Sequence, residues 1–307
     1  AHATQEEALG TMYEALETYR AIAEDFLAIP VVKGRKSESE KFAGADVTTT
    51  IEALMPDGKA LQSGTSHHLG QNFSKAEAFN ISFQDSNDTT QYAWQNSWGL
   101  STRILGALIM THGDDEGLVL PPRVAPTQVL VVNASKDAET IEAVKTITDT
   151  LEKSGVRVEM NTDETTSMGW KLNDAELEGI PVSLIVGARE LAENTVTAAI
   201  RYSHEKQSLE LSSLETSVPA LLETIQADLF RAAKERQDAL TFEANSFDEF
   251  KQIMSQNRGF IRAFWCENEG CEAKIKEETK ATTRCLPFTS DDGAVEEEQG
   301  ECVHCGK

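Results

Sequence analysis

No stretch of this sequence approaches the roughly 20 consecutive apolar residues that a membrane-spanning helix needs. The first residues, AHATQEEALG, form no charged-then-apolar leader, so neither secretion nor an organellar address is indicated. Positive charge is scarce, with 28 Lys and Arg against 51 Asp and Glu and a net charge of −23. The deficit is even: 8 basic against 17 acidic residues in 1–122, 9 against 17 in 123–225, and 11 against 17 in 226–307. No segment therefore carries the basic footprint of a protein that holds nucleic acid mainly by its phosphates. Any such contact must use a local cluster such as Lys33, Arg35, Lys36 and Lys41; adaptation to high salt would also produce an acidic excess. Cysteine is sparse and odd in number, five in 307 residues, which speaks against a disulfide framework. No glycine-rich phosphate loop follows the apolar run TQVLVVNA, which argues against a dinucleotide or P-loop site there. What survives these exclusions is a soluble cytosolic protein, 40% hydrophobic and 26% charged, long enough for two or three domains.

The stretch ALQSGTSHHLGQNF, residues 60–73, stands out. Small residues (Ser63, Gly64, Thr65, Ser66, Gly70) alternate with hydrogen-bonding side chains (Gln62, His67, His68, Gln71, Asn72), a composition suited to a site or to a polar turn between strands. About thirty residues later AWQNSWGLSTRILGALIMT passes from an aromatic strand-like run through Gly99 into an apolar helix, with Arg103 in its first turn. A helix start offers unpaired N–H groups, and a guanidinium beside it completes a place for phosphate oxygens. Thr4 and Glu7 form a capping box for a helix over residues 4–27, stopped by Pro30. VTTTIEAL, FNISFQD and YAWQNSW read as strands, with a turn at Pro56-Asp57-Gly58. Short turns between strands imply a mostly antiparallel sheet.

From residue 127 the order becomes strand, helix, strand, as expected of an α/β unit with a partly parallel sheet. Asp137 is the candidate cap and Gly155 the stop of its first helix. Leu214–Leu240 is a long helical stretch, interrupted or begun anew near Pro219. FDEFKQIM suggests another helix and GFIRAFWC a strand. The last region holds C-x4-C (Cys266, Cys271) and C-x2-C (Cys302, Cys305). Two thiolate pairs at short spacing are what tetrahedral Zn²⁺ requires. Cys285 reads as a small buried hydrophobe. The acidic tract from Asp291 to Glu301 reads as a mobile loop, and the second pair, two residues before Lys307, is expected to fray.

TSHHLGQNF, GLSTR at 99–103 and HGDDEGLVLPPRVAP, with KGRKSESEKFAGADVTTTIEAL before them and the cysteines after them, resemble the prolyl-tRNA synthetases of class II, of the archaeal and eukaryote-like kind. The resemblance implies a partial antiparallel class II catalytic domain in 1–122, an α/β anticodon-binding domain in 123–213, and a linker helix with a small α/β zinc-binding domain in 214–307. It implies ATP-dependent activation of proline and its transfer to tRNA(Pro), with Mg²⁺ accompanying the nucleotide and a homodimer as the intact enzyme. Gln62, Thr65, Ser101 and Arg103 match nucleotide-binding positions, Arg103 facing the terminal phosphates, and His67 matches a position lining the proline pocket. His68 matches no assigned role and is expected to be a loop histidine. The family's first two sequence motifs lie ahead of the segment that AHATQEEA resembles, so the chain is expected to be inactive alone, and residues 1–98 leave no room for an inserted editing domain. Another class II synthetase, such as one for threonine, or a non-catalytic tRNA-binding relative would share much of this pattern.

Overall fold

The computed structural model describes residues 1–256, 258–289 and 300–307, in two compact units: 1–25, 29–107 and 234–307 form one, and 26–28 with 108–233 the other. The acidic tract falls largely outside the described residues.

The first unit opens with helix α1 (Gln5–Ala21), whose start is closed by the expected capping box of Thr4 and Glu7. Ala8, Met12, Leu16 and Tyr19 recur at helical spacing and are buried. The helical stretch ends before Pro30, its last part widening into a π-type turn at Ile22–Phe26, which keeps Ala23 buried but leaves Phe26 half exposed. Strands β1 (Val31–Arg35), β2 (Val47–Leu54) and β3 (Ala60–Gly70) follow, β2 and β3 joined through the turn at Gly58. A small hairpin of β4 (Ser82–Gln84) and β5 (Thr90–Tyr92) precedes β6 (Gln95–Leu100) and helix α2 (Arg103–His112). The stretch expected to be a site or a turn is thus itself the longest strand of the sheet.

The second unit is contiguous apart from residues 26–28. Strands β7 (Val129–Asn133), β8 (Val158–Asn161), β9 (Val182–Val186), β10 (Thr195–Ile200) and β11 (Lys206–Glu210) make a sheet of order β11-β10-β9-β7-β8. β7 is parallel to both β8 and β9, while β10 and β11 add as antiparallel strands. The crossovers are α3 (Ala138–Lys153), capped by Asp137 at Thr140 N, and α4 (Met168–Glu178), ended by Gly179 at φ 75°, a backbone shape that favours glycine. A short α5 (Ala188–Ala192) lies before β10. Val129, Val131, Leu184, Val196 and Ile225 anchor the core, the last on helix α6 (Leu214–Ala239). Pro219 lies inside α6 and does not interrupt it. It stands in the second turn, where its missing N–H removes one backbone bond and the rest of the ladder continues.

From residue 234 the chain is again part of the first unit. Strands β12 (Thr241–Glu243) and β13 (Phe260–Arg262) pair in parallel across helix α7 (Phe247–Gln256). Helix α8 (Glu269–Thr279) and the two-residue strand β14 (Leu286–Pro287) complete it. β14 pairs antiparallel with β1, giving one five-stranded antiparallel sheet of order β14-β1-β2-β3-β6 built from both ends of the sequence.

Candidate active site and thiolate cluster

Register decides which side chains of β3 share a face. Thr48, Thr50 and Glu52 alternate along β2 and lie opposite His67, Thr65 and Gln62. Residues directly opposite point to the same side, so these six line one face. Gln62 and Thr65 are an odd number of positions apart and would face opposite ways on a regular strand. The register shift at Ile51/Glu52 inserts Ser63 as an extra residue in β3, and the bulge turns Gln62 onto the face of Thr65 and His67.

The reverse face belongs to α1. A methyl group at Gly64 would meet the Tyr19 ring at 3.0 Å, and Ser66 and His68 are buried there at 0% and 1% exposure. His68 is no loop residue: it stacks on Trp94 with ring centroids 5.9 Å apart. On the front face Gln62, Thr65 and His67 remain partly exposed. Gly99, opposite Thr65 on β6, has no atom within 4 Å of the place a side chain would occupy, so the floor beside Thr65 is clear. Arg103, at the start of α2, donates from a guanidinium nitrogen to the Gln62 carbonyl at 3.2 Å. Ser101, on the link between β6 and α2, accepts the Ile104 N–H at 3.1 Å and closes the helix's first turn. Thr48 Oγ1 lies 2.9 Å from His67 Nδ1, and the Phe42 ring stands 5.4 Å from the imidazole. Burial holds His67 below its ordinary pKa, so it is neutral at pH 7.

The basic cluster expected at Lys33, Arg35, Lys36 and Lys41 is neutralised. Lys33 pairs with Glu17, Arg35 with Glu267, Lys36 with Glu52 and Lys41 with Glu38.

Elsewhere in this unit the sulfurs of Cys266, Cys271, Cys302 and Cys305 lie within 4.8 Å of one another. Cys266 is 3.6 Å from Cys271 and 3.7 Å from Cys305. Zinc–sulfur bonds of about 2.3 Å at tetrahedral angles set sulfur–sulfur distances near 3.8 Å, so the donor set fits. Burial opposes ionisation of Cys302, yet backbone N–H groups of Cys305, His304 and Cys266 hold it at about 6. Burial and the neighbouring sulfurs push Cys271 up to about 12. Four thiolates need a cation to coexist. The second pair is not frayed: Cys302 is 3% exposed, its N–H donates to the Lys307 carbonyl at 2.9 Å, and Val303 enters a core with Ala244 and Phe250. Among the described residues these cysteines are the only group of three or more His, Cys, Asp or Glu donors close enough to share a metal ion.

In the second unit Lys171, on α4, is 2% exposed. Its Nζ donates to Asn133 Oδ1 at 3.0 Å and to the Asn161 carbonyl at 3.2 Å, and burial pushes its pKa down. It borders an open cavity of about 360 Å³ lined also by Glu159, Asp163 and Asp174.

Residues 128–221 match the family model "Anticodon binding domain", and residues 247–307 match "Prolyl-tRNA synthetase, C-terminal". The whole chain aligns at 46% identity with the proline–tRNA ligase of Acetoanaerobium sticklandii and at 45% with that of Lachnospira eligens, covering 62% and 63% of them. Over its whole length the chain is similar to prolyl-tRNA synthetases. It spans rather less than two thirds of the length of these relatives. A crystal structure of the prolyl-tRNA synthetase from Cryptosporidium parvum, complexed with halofuginone and AMPPNP, superposes with a TM-score of 0.92 at 39% identity, over 100% of this chain and 64% of that one. A second, complexed with L-proline and AMP, gives 0.91 at 39% identity, over 100% of this chain and 65% of that one.

Gln62, Thr65 and His67 share the open face of the first unit's sheet, and Arg103 is tied to its rim. Sequence reading gave no site role to Thr48, Glu52 or Arg284 and placed Lys36 in a basic cluster; all four support that face through the Thr48–His67 and Glu52 contacts. The signal was the period-2 spacing of Thr48, Thr50 and Glu52, with a carboxylate placed in an otherwise β-branched strand.

Proposed function

We propose that the front face of β3 is part of the site at which the full-length synthetase activates proline with ATP before passing it to tRNA(Pro). The observation that carries this is the bulge, which sets Gln62 beside Thr65 and His67 on an open face with Arg103 hydrogen-bonded at its edge. In this reading Gln62, Thr65 and Ser101 hydrogen-bond the nucleotide. Arg103 neutralises its terminal phosphates, and His67 walls the proline pocket. The proline carboxylate attacks the α-phosphorus and pyrophosphate leaves, a displacement that needs positioning and charge neutralisation but no protein base. A neutral His67, hydrogen-bonded to Thr48, suits a pocket wall that does not repel the prolyl ammonium. The cysteines would hold Zn²⁺ as a structural ion. In this reading Mg²⁺ accompanies the nucleotide. Proline, tRNA(Pro) and a second copy of the enzyme are the partners in this reading.

The second unit is read as the anticodon-binding part. An ammonium has three donors and Lys171 uses two, leaving one for a base carbonyl or ring nitrogen, while Glu159, Asp163 and Asp174 can accept from base amino groups.

Proline-dependent exchange of pyrophosphate into ATP by the full-length gene product tests the proposal. Arg103→Ala is expected to lower exchange by about 100- to 1,000-fold, the usual loss for one charge-stabilising donor. An undiminished Arg103→Ala enzyme, or exchange driven by threonine in place of proline, overturns it.

A further inference from the structure

The front face is open over β3 and β6 but closed over β1 and β2, and the part that closes it comes from the far end of the sequence. Glu52 is fully buried. Its carboxylate accepts from Lys36 Nζ at 2.7 Å, Thr50 Oγ1 at 3.0 Å, and two guanidinium nitrogens of Arg284 at 3.0 and 2.5 Å. Lys36 Nζ also donates to the Arg284 carbonyl at 2.8 Å, so the two cations and the carboxylate form a closed knot. Next to it β14 pairs with β1, and Cys285 fills the notch of Gly34, where a methyl group would lie 2.7 Å from its sulfur. A second strut runs in parallel: Glu272, the neighbour of Cys271, accepts from Ser37 Oγ at 3.1 Å and Ser39 Oγ at 2.5 Å.

Glu52 stands opposite Gln62, at the bulge, and Thr50 stands opposite Thr65. A bulge is a soft point of a ladder, and the direction of the side chains beside it depends on what fixes the partner strand. Here that partner strand is fixed by three charges and a hydroxyl, with Glu52 and Lys36 buried and Arg284 30% exposed at the edge. From this geometry we infer that Glu52, locked by Lys36 and Arg284, is a positioning residue for Gln62 and Thr65. The C-terminal region thereby sets the nucleotide side of the site without touching the nucleotide. The inference rests on the assignment of Gln62 and Thr65 to the nucleotide. It is graded in space: His67 is backed by Thr48, at the other end of β2, which meets the knot only through its carbonyl, the acceptor of the Lys36 backbone N–H at 2.9 Å, while no side chain of the knot reaches it.

The test uses the full-length enzyme, calorimetric Kd values for a non-hydrolysable ATP analogue and for proline, and a thermal melt of each variant. Arg284→Met is expected to weaken the nucleotide roughly tenfold, the scale of loss when a binding group is displaced by a fraction of an ångström. Proline affinity changes less than about twofold, since its contacts are separate. Glu52→Gln added to Arg284→Met brings little further loss, because both act through one contact. Should Arg284→Met not fold, Arg284→Lys keeps the charge, gives up the two-pronged contact, and is read in the same way. Gln62→Ala separates the possible failures. If Gln62→Ala weakens the nucleotide and the Arg284 variants do not, or if they shift both ligands equally in step with a lowered Tm, the knot is merely structural and the inference falls. If Gln62→Ala itself leaves nucleotide affinity unchanged, the assignment of the face is wrong.

Discussion

The two sheets are assembled in opposite ways. That of the second unit draws all five strands from residues 129–210, with α3 joining the neighbours β7 and β8 and α4 carrying the chain from β8 past β7 to β9. That of the first draws four strands from residues 31–100 and the fifth from 286–287. One can be built as its chain is read, while the other is complete only when the far end returns. The first also carries a polar open face, and its stiffness comes from buried charge where the second relies on valine and leucine. The lesson is that a chain can place its site residues locally and still leave their support to a segment two hundred residues away.

Removing metal should break this comparison most sharply. A four-thiolate site that holds Zn²⁺ contributes its binding energy to the fold around it, on the order of 10 kcal/mol in small zinc modules. Purified reduced protein is expected to contain one equivalent of Zn²⁺, and Cys271→Ser to lose it. Chelation should lower the melting transition of the first unit, which contains the cysteines, and leave that of the second in place. Less than half an equivalent of zinc, or metal content unchanged in Cys271→Ser, refutes the site.

Next in size is Glu52→Ala. It leaves Lys36, whose side chain is 4% exposed, without its carboxylate, and breaking a buried pair in this way costs about 3 to 5 kcal/mol. Denaturant unfolding followed by a probe in each unit should show the loss in the first unit alone. Leu184→Ala, in the core of the second, should give the mirror result at about 2 to 5 kcal/mol.

Those two variants also mark what the sequence could and could not convey. Helix α3 with its Asp137 cap, the alternation of strand and helix in the second unit, the capping box at Thr4 and the two cysteine pairs were legible, because each is written in neighbouring residues. The role of Glu52 was not. Nothing within ten residues of VTTTIEAL shows that Arg284 will reach it, and Lys36 reads as one of a local basic cluster. The facing of Gln62 was equally hidden, since odd spacing from Thr65 puts the two on opposite sides until a bulge is known. His68 looked like its neighbour His67, yet one residue of strand periodicity sends it to the buried face against Trp94. The basic cluster failed for a related reason: each cation found an acidic partner elsewhere in the chain.

A smaller effect concerns tRNA. The second unit is acidic around Lys171, so recognition there should rest on base contacts more than on phosphate neutralisation. Lys171→Met is expected to weaken binding of an anticodon stem-loop by about 1 to 3 kcal/mol, the value of a good base contact. The slope of log affinity against log salt should stay shallow. A slope corresponding to roughly six or more released counterions would show that a basic groove dominates instead.

The smallest expected effect is a pH dependence confined to the second unit. Arg201, whose side chain is 2% exposed, grips Asp114 with two guanidinium nitrogens, and His204 and Glu116 face the same pair. The guanidinium holds the Asp114 carboxyl down at about 2, against an ordinary value near 3.8. Because the folded state binds its proton less readily than the unfolded one, the unfolded state takes up more protons between those two values, and stability falls as pH falls through that window. Above pH 4 or so the contribution is fully present; below about 2 it is gone. Asp114 is 36% exposed on its side chain, so solvent screening keeps the gain under about 1 kcal/mol. Asp114→Asn should therefore be slightly less stable than the parent at pH 6, and the difference should shrink to nothing as pH falls through the window from about 4 to about 2. Urea unfolding of both proteins at closely spaced pH values measures it. A difference that persists unchanged below pH 2 would mean that the loss comes from packing around Arg201 and not from its charge pair.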